Sequence, residues 1–206
     1  MSVPKLDFLG RQIGQSISHE AQKSFTLFDK IIDRNAMGSF VIVSQALIHF
    51  LPNNFDKVMV KSREYIVKGN EWYVCDIFGE RSLGQALVDY FDKALPWFKK
   101  FLEDENKWVK RSVGVAIHFF SKRILNEPEK TKKLLELIEP YIEERQIDVI
   151  KSIGWALKTI GKRYPEILVE FLKRQIKAKK VVSKLMVKKA LTYLDKDKKL
   201  EIETYV

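Results

Sequence analysis

The sequence predicts an all-α fold built from stacked pairs of helices. Three observations predict it. Apolar residues recur three and four apart along almost the whole chain, and no segment of useful length alternates with period two. With 9 Gly and 6 Pro in 206 residues, the composition argues against a loop-rich β fold and against disorder. Helical segments also resemble one another at a spacing of about 36 to 40 residues, the period of two-helix repeat arrays.

Each element has its own signal. Ser18 precedes a helix whose Phe25, Phe28, Ile31 and Ile32 fall on one face. Gly38 and Ser39 open the next, through Val43, Ala46, Leu47 and Phe50, and Pro52, Asn53 and Asn54 are expected to end it. A helix over 55–68 stops at Gly69-Asn70, and short helices follow over 71–79 and 82–91. Pro96 is expected to start another. Asp104 is expected to cap a helix over 106–125, since a side-chain carboxylate satisfies free N–H groups at a helix start. Pro128 suits the first turn of a helix carrying Leu134, Leu135, Leu137 and Ile138, because its missing N–H costs nothing there. Helices over 148–162, 165–177 and 183–194 complete the chain.

The repeat is visible residue by residue. Displaced by about 40, Trp108-Val-Lys-Arg-Ser-Val-Gly-Val-Ala lies on Asp148-Val-Ile-Lys-Ser-Ile-Gly-Trp-Ala. A displacement of about 36 puts Trp72 on Trp108, and one of about 38 puts Met186 on Asp148. The reading is a HEAT-like α-solenoid of antiparallel helix pairs with a concave basic groove, forming one domain over 1–206. Counted from Trp72, Trp108, Asp148 and Met186 as position one, position four holds Cys75, Arg111, Lys151 and Lys189. Position five holds Asp76, Ser112, Ser152 and Ala190, and position eight holds Gly79, Val115, Trp155 and Tyr193. Positions one, four, five and eight share a helix face. The expected shared surface therefore carries Trp72, Asp76, Arg111, Lys151, Trp155, Lys189 and Tyr193, aromatic and basic with a single carboxylate. Basic side chains meet phosphates and aromatic ones meet bases or sugars, so this mixture suits nucleic acid. Trp108 precedes the apolar face of its own helix and is read as packing. Asp76, set among Trp72, Val74, Ile77 and Phe78, needs a partner or a task, and Arg111 is the candidate partner. Cys75 reads as a small buried hydrophobe.

Charge points the same way. The net charge is +10, and residues 145–206 carry 16 Lys or Arg against 7 Asp or Glu. A polyanionic partner follows, nucleic acid before an anionic membrane surface. One cysteine allows no internal disulfide and fits a reducing, cytoplasmic setting. No run of apolar residues approaches a membrane span, and residues 1–7 show no signal-peptide pattern. His19, His49 and His118 are scattered without metal-ligand spacing, so no metal site and no cofactor is expected. Gly-rich phosphate loops and a glycine-flanked nucleophilic Ser are likewise missing.

Four pieces resemble one family. They are Trp-x-x-x-Asp (Trp72, Asp76), Trp-x-x-Arg (Trp108, Arg111), Ile153-Gly-Trp-Ala-Leu-Lys with a following Pro165, and Met186-Val-Lys-Lys-Ala-Leu-Thr-Tyr-Leu. Together they make the chain similar to the DNA alkylation repair family, the AlkD-like DNA glycosylases of HEAT-like repeats. The resemblance covers 64–194 and leaves 1–63 as divergent N-terminal helices. It implies a monomeric, monofunctional glycosylase that releases N3- and N7-alkylated purines from double-stranded DNA without drawing the base into a pocket. Under it, Asp76 is the catalytic carboxylate, Trp72 and Trp155 contact the lesion's deoxyribose, and Arg111 holds the DNA backbone. Some relatives bind branched or unusual DNA without excision. A non-catalytic DNA- or RNA-binding repeat protein is thus the alternative reading, with a protein-interaction scaffold behind it.

Overall fold

The computed structural model describes residues 2–203. Residues 1 and 204–206, the ends of the domain expected over 1–206, lie outside the described residues. Among the described residues every regular element is helical: α1 (Val3–Ile17), α2 (Ala21–Ile32), α3 (Met37–Leu47), α4 (Leu51–Gly69), α5 (Trp72–Gly79), α6 (Ser82–Asp89) and α7 (Phe91–Leu102) form the first half. The second half is α8 (Lys107–Arg123), α9 (Pro128–Ile138), α10 (Ile147–Arg163), α11 (Pro165–Lys177), α12 (Lys184–Ala190) and α13 (Lys196–Glu203). Short 3-10 turns follow α3 (Ile48–Phe50), α9 (Glu139–Tyr141) and α12 (Leu191–Tyr193). None of these helices is long and apolar enough to cross a membrane.

Several boundaries differ from the sequence expectation for identifiable reasons. Residues 3–17, for which the spacing predicts no element, form α1. Its Gly10 and Gly14 weaken the helical signal, yet they are what lets it dock. A Cβ on Gly10 would lie 2.5 Å from the Ile42 carbonyl oxygen, and one on Gly14 2.6 Å from that of Ala46. Pro52 does not end α3 but sits in the first turn of α4, and the break falls inside α4 at Asn54 (φ −134°, ψ 34°). Pro96 lies within α7 rather than at its start. Asn106, not Asp104, caps α8, its side chain accepting from the N–H groups of Trp108 and Val109. Asp104 instead accepts the Asn106 N–H and pairs with Arg63. The break at Gly69-Asn70 holds as expected, with Asn70 in the left-handed region (φ 48°).

Six helices form a row in which α1 packs on α3, α3 on α5, α5 on α8, α8 on α10 and α10 on α12. α2, α4, α7 and α11 back this row, packing against α3, α5, α8 and α10 respectively. The core between the layers is rich in fully buried Phe, among them Phe28, Phe40, Phe78, Phe98 and Phe120. Polar ties recur between residues 41 apart: Arg63 with Asp104, Trp97 with Asp56, Lys107 with Asp148, and His118 with Thr159. These ties join α4 to α7 and the turn after it, and α8 to α10. The two long row helices also begin alike, Gln146 capping α10 as Asn106 caps α8.

The tightest contact in the row joins α8 to α10. A Cβ on Gly114 would lie 2.5 Å from the Ser152 carbonyl carbon and 2.7 Å from its oxygen, backbone atoms that cannot step aside. Gly114→Ala is therefore expected to cost roughly 1–3 kcal/mol of stability, read as a lower urea midpoint. Gly38→Ala meets only Leu6 methyl groups at 3.6 Å and is expected to gain about 0.4–1 kcal/mol by the same measurement. Equal effects of the two substitutions would contradict this account of the seam.

Candidate functional site

α5 begins two residues after the left-handed Asn70, which puts Trp72 in its first turn and Asp76 one turn later. Val74, Cys75, Ile77 and Phe78 are buried, so Asp76 lies at the edge of an otherwise apolar helix, turned toward α8. There Arg111 meets it in a two-pronged ion pair. Nε donates to Oδ1 and Nη2 to Oδ2, both at 2.9 Å. The third arm, Nη1, donates to the Asp148 carbonyl oxygen on α10 at 3.1 Å. The side chains are 10% exposed for Arg111 and 18% for Asp76, so the pair is screened little by solvent. Burial lowers the Arg111 pKa, but the hydrogen bonds and charge of Asp76 more than offset it and the net shift is upward. A carboxylate has about four lone-pair sites, of which the guanidinium occupies two. The pair fixes the orientation of the Asp76 carboxylate, and the Cys75 thiol lies 3.5 Å from its Oδ1.

Around this pair lie two aromatic groups in different settings. The Trp72 indole is 56% exposed and its ring partner is Tyr73, edge-on at 5.9 Å. The half-buried Trp155 stacks on His118 at 4.0 Å and 24°. His118 Nδ1 lies 2.6 Å from the Thr159 hydroxyl, which in turn donates to the Trp155 carbonyl oxygen. One hydroxyl proton serves that carbonyl, so Nδ1 carries the hydrogen in this arrangement. Burial, then the charges of Lys122, Arg123 and Lys158, lower the His118 pKa to about 4. The ring packed on Trp155 is therefore neutral.

The structure brings Asp76, Arg111 and the start of α10 into direct contact. The Asp148 carboxylate accepts from Lys107 at 3.0 Å and lies 3.9 Å from Lys151, which is exposed. Lys189 lays its stem over Gly154, where a Cβ would lie 2.9 Å from its Cδ. Tyr193 is 50% exposed, with the Lys158 and Lys162 ammonium groups 5.0 and 5.1 Å from its ring centre. No hydrogen bond, ion pair or ring contact links Trp155 to Trp72, Asp76 or Arg111 among the described residues. Trp108 is 8% exposed, the packing residue the sequence indicated, and Cys75 is fully buried with its thiol donating to the Trp72 carbonyl.

The expected shared face needs one correction. At position five, Ser112, Ser152 and Ala190 are all 0% exposed, and at position one Met186 is as well. Position five lies about 100° around the helix from position four, and that side is taken by the neighbouring helix of the row. On α10 the open face runs instead along position four, position eight and their continuation: Lys151, Trp155, Lys158 and Lys162. On α8 position eight is the buried Val115, Arg111 and His118 are also buried, and Lys122 is the open residue of that line. Lys122, Lys158 and Lys162 fall outside the expected face, although the three-and-four spacing that would reach them simply continues past Trp155. Asp76 is a position-five residue and lies in the seam between α5 and α8, where Arg111 meets it.

Removing Arg111 leaves the Asp76 carboxylate without its two-pronged partner. Arg111→Met is expected to cost about 3 kcal/mol, and the double variant with Asp76→Asn to recover part of it. A coupling of about 1–3 kcal/mol in the double-mutant cycle, measured by urea unfolding, is the expected result; additive losses would contradict the clamp. His118 sets a pH dependence. Its folded pKa of about 4 lies below the ordinary 6.5, so the unfolded chain takes up a proton between these values that the folded chain refuses. Stability therefore falls as pH drops from 6.5 toward 4 and is restored as pH rises. His118→Gln is expected to flatten this part of the profile, checked by comparing urea midpoints near pH 7 and pH 5.

The family described as DNA alkylation repair enzyme matches residues 1–194. The match starts at residue 1, so it reaches through the helices before residue 64 in which the four motif pieces are not found. No curated protein and no solved structure matches the chain. The chain belongs to the DNA alkylation repair enzyme family.

Proposed function

We propose that the protein is a DNA glycosylase that hydrolyses the N-glycosidic bond of cationic N3- and N7-alkylated purines in double-stranded DNA, with Asp76 as its catalytic carboxylate. The observation that carries this reading is the Asp76 carboxylate, fixed in orientation by Arg111 and still partly open, one helical turn from the exposed Trp72 indole. An alkylated purine is already cationic, so the C1′–N bond can break with its electron pair leaving on a neutral base, and no general acid is required. What needs stabilising is the oxocarbenium-like sugar. A carboxylate near C1′ lowers its energy and orients the attacking water, whose proton passes to the carboxylate or to solvent. Indole faces favour the same cation.

In this reading the row of helices is a HEAT-like solenoid, and its open face, along Lys151, Trp155, Lys189 and Tyr193, is the DNA groove. Trp72 and Trp155 contact the lesion's deoxyribose. Arg111 reaches a backbone phosphate only by giving up a bond it makes here, so its first role is to hold Asp76. The protein acts as a cytoplasmic monomer on nucleoid DNA. A second reading, a DNA-binding protein without excision, is favoured by one observation: a two-pronged, mostly buried pair is also what a purely structural ion pair looks like.

Incubation with methylated duplex DNA separates the readings. The wild type is expected to release free 7-methylguanine or 3-methyladenine. Asp76→Asn, which keeps the shape of the side chain, is expected to bind duplex DNA within about threefold of wild type but to lose release by at least about 100-fold. Equal release would remove Asp76 from the chemistry, and none from either protein would sink the enzyme reading. Lys151→Gln with Lys189→Gln is expected to weaken duplex binding and to lower the salt dependence by up to about 0.9 for each phosphate no longer neutralised, measured by fluorescence anisotropy.

A further inference from the structure

We propose that the cleft between α1, α3, the α5–α6 turn and the C-terminal end of α8 is a second phosphate-binding site, filled by a backbone phosphodiester of DNA remote from Asp76. The cleft has a volume of about 350 Å³ and is an open trough rather than an enclosed cavity. Arg11, Lys122 and Arg123 line it, all three exposed. None of them has an ion-pair or hydrogen-bond partner among the described residues. Arg123 lies over the Phe119 ring at 3.3 Å, which leaves the guanidinium edge free. The fourth cation, Arg81, is already taken by Asp7, with Nε to Oδ1 at 2.7 Å and Nη2 to Oδ2 at 3.3 Å. Glu80, whose charge acts on Arg123, is then the one carboxylate left in the cleft against three cations.

Three cations gathered in one concavity repel one another, and an arriving anion relieves that repulsion. The same three act on the neighbouring histidines. After burial, the largest influence lowering the His49 pKa is Arg11, and Lys122 and Arg123 follow burial for His118. The lining offers little to an apolar ligand, while guanidinium and ammonium groups together match phosphate oxygens. An open trough suits a phosphate carried on a strand. α8 runs from the Asp76 partner to this cleft: Arg111 and Lys122 lie about 16 Å apart along its axis at ~1.5 Å per residue. That length corresponds to roughly five nucleotides of one strand at ~3.4 Å each. The phosphate bound here therefore belongs to the flanking strand and not to the lesion nucleotide.

This inference rests on the DNA reading above, and its test separates the two. Arg11→Gln, Lys122→Gln and Arg123→Gln are combined, and binding to an undamaged duplex of about 20 base pairs is followed against salt concentration by anisotropy. A control triple, Lys132→Gln, Lys133→Gln and Lys173→Gln, removes the same charge from α9 and α11. The expected result is about tenfold weaker binding near 0.1 M salt and a slope reduced by at least about 0.9, one phosphate, for the cleft triple, with the control unchanged. Unchanged binding in the cleft triple, or an equal change in the control, overturns the proposal. In parallel, the melting temperature of each protein is read with and without inorganic phosphate. Loss of phosphate stabilisation in the cleft triple with an unchanged DNA slope assigns the cleft to a free phosphate ester and overturns the backbone source. If the triple variant does not fold, Lys122→Gln alone reads the same slope. A wild type that shows the slope difference but releases no base loses the glycosylase reading and keeps the cleft; release with no slope difference does the reverse.

Discussion

The three-armed contact of Arg111 is the constraint on which the rest of the site depends. Its guanidinium joins α5 through the Asp76 carboxylate and α10 through the Asp148 carbonyl, from a place on α8 between them. Neither charge is tolerable there alone. Asp76 lies on a helix whose other side chains are mostly apolar and buried, and Arg111 is 8% exposed. Only a planar fork supplies two parallel bonds to one carboxylate and a third in another direction, so a lysine cannot stand in for it. The carboxylate is consequently held in one direction by two parallel bonds from a single guanidinium.

The basic, aromatic face on α10 and α12 depends on a different balance. Cations are set around aromatic rings: Lys158 and Lys162 on Tyr193, and Lys107 on Trp108 at 4.2 Å. At Trp155 the stacked partner is His118, and burial with the surrounding lysines and arginine keeps that ring neutral. A neutral imidazole stacks on the indole without adding to the positive field, while Thr159 fixes its orientation. The result is a face rich in lysine that keeps one half-buried indole in place. Membership of a family of DNA alkylation repair enzymes fits that electrostatic character.

The sequence carried much of this in readable form, with losses at identifiable points. The spacing of Phe25, Phe28 and Ile32, of Val43, Ala46, Leu47 and Phe50, and of Leu134, Leu135 and Ile138 marked real core faces, because burial of one stripe is a one-dimensional pattern. α1 escaped notice since Gly10 and Gly14 lower helix propensity, and their value lies in contacts with Ile42 and Ala46 on another helix. Pro52 and Pro96 read as boundaries, but the chain continues helically through each. The pairing of Asp76 with Arg111 was legible as a need, since a carboxylate among apolar neighbours requires a partner.

By itself the sequence determined the helical character, the spacing of the repeats, the excess of positive charge in the C-terminal part and the candidate carboxylate. These are properties of residue order and of the period of a single helix. Which side of each helix stays open was decided only by the tertiary structure. Positions four and five are adjacent in sequence but point about 100° apart; on α10 the packing gives Ser152 to a seam and leaves Lys151 to solvent, whereas on α8 it covers both Arg111 and Ser112. The meeting of Arg11 from α1 with Lys122 and Arg123 from α8 was likewise beyond the reach of the sequence, because it depends on which helices pass one another and not on any spacing along the chain.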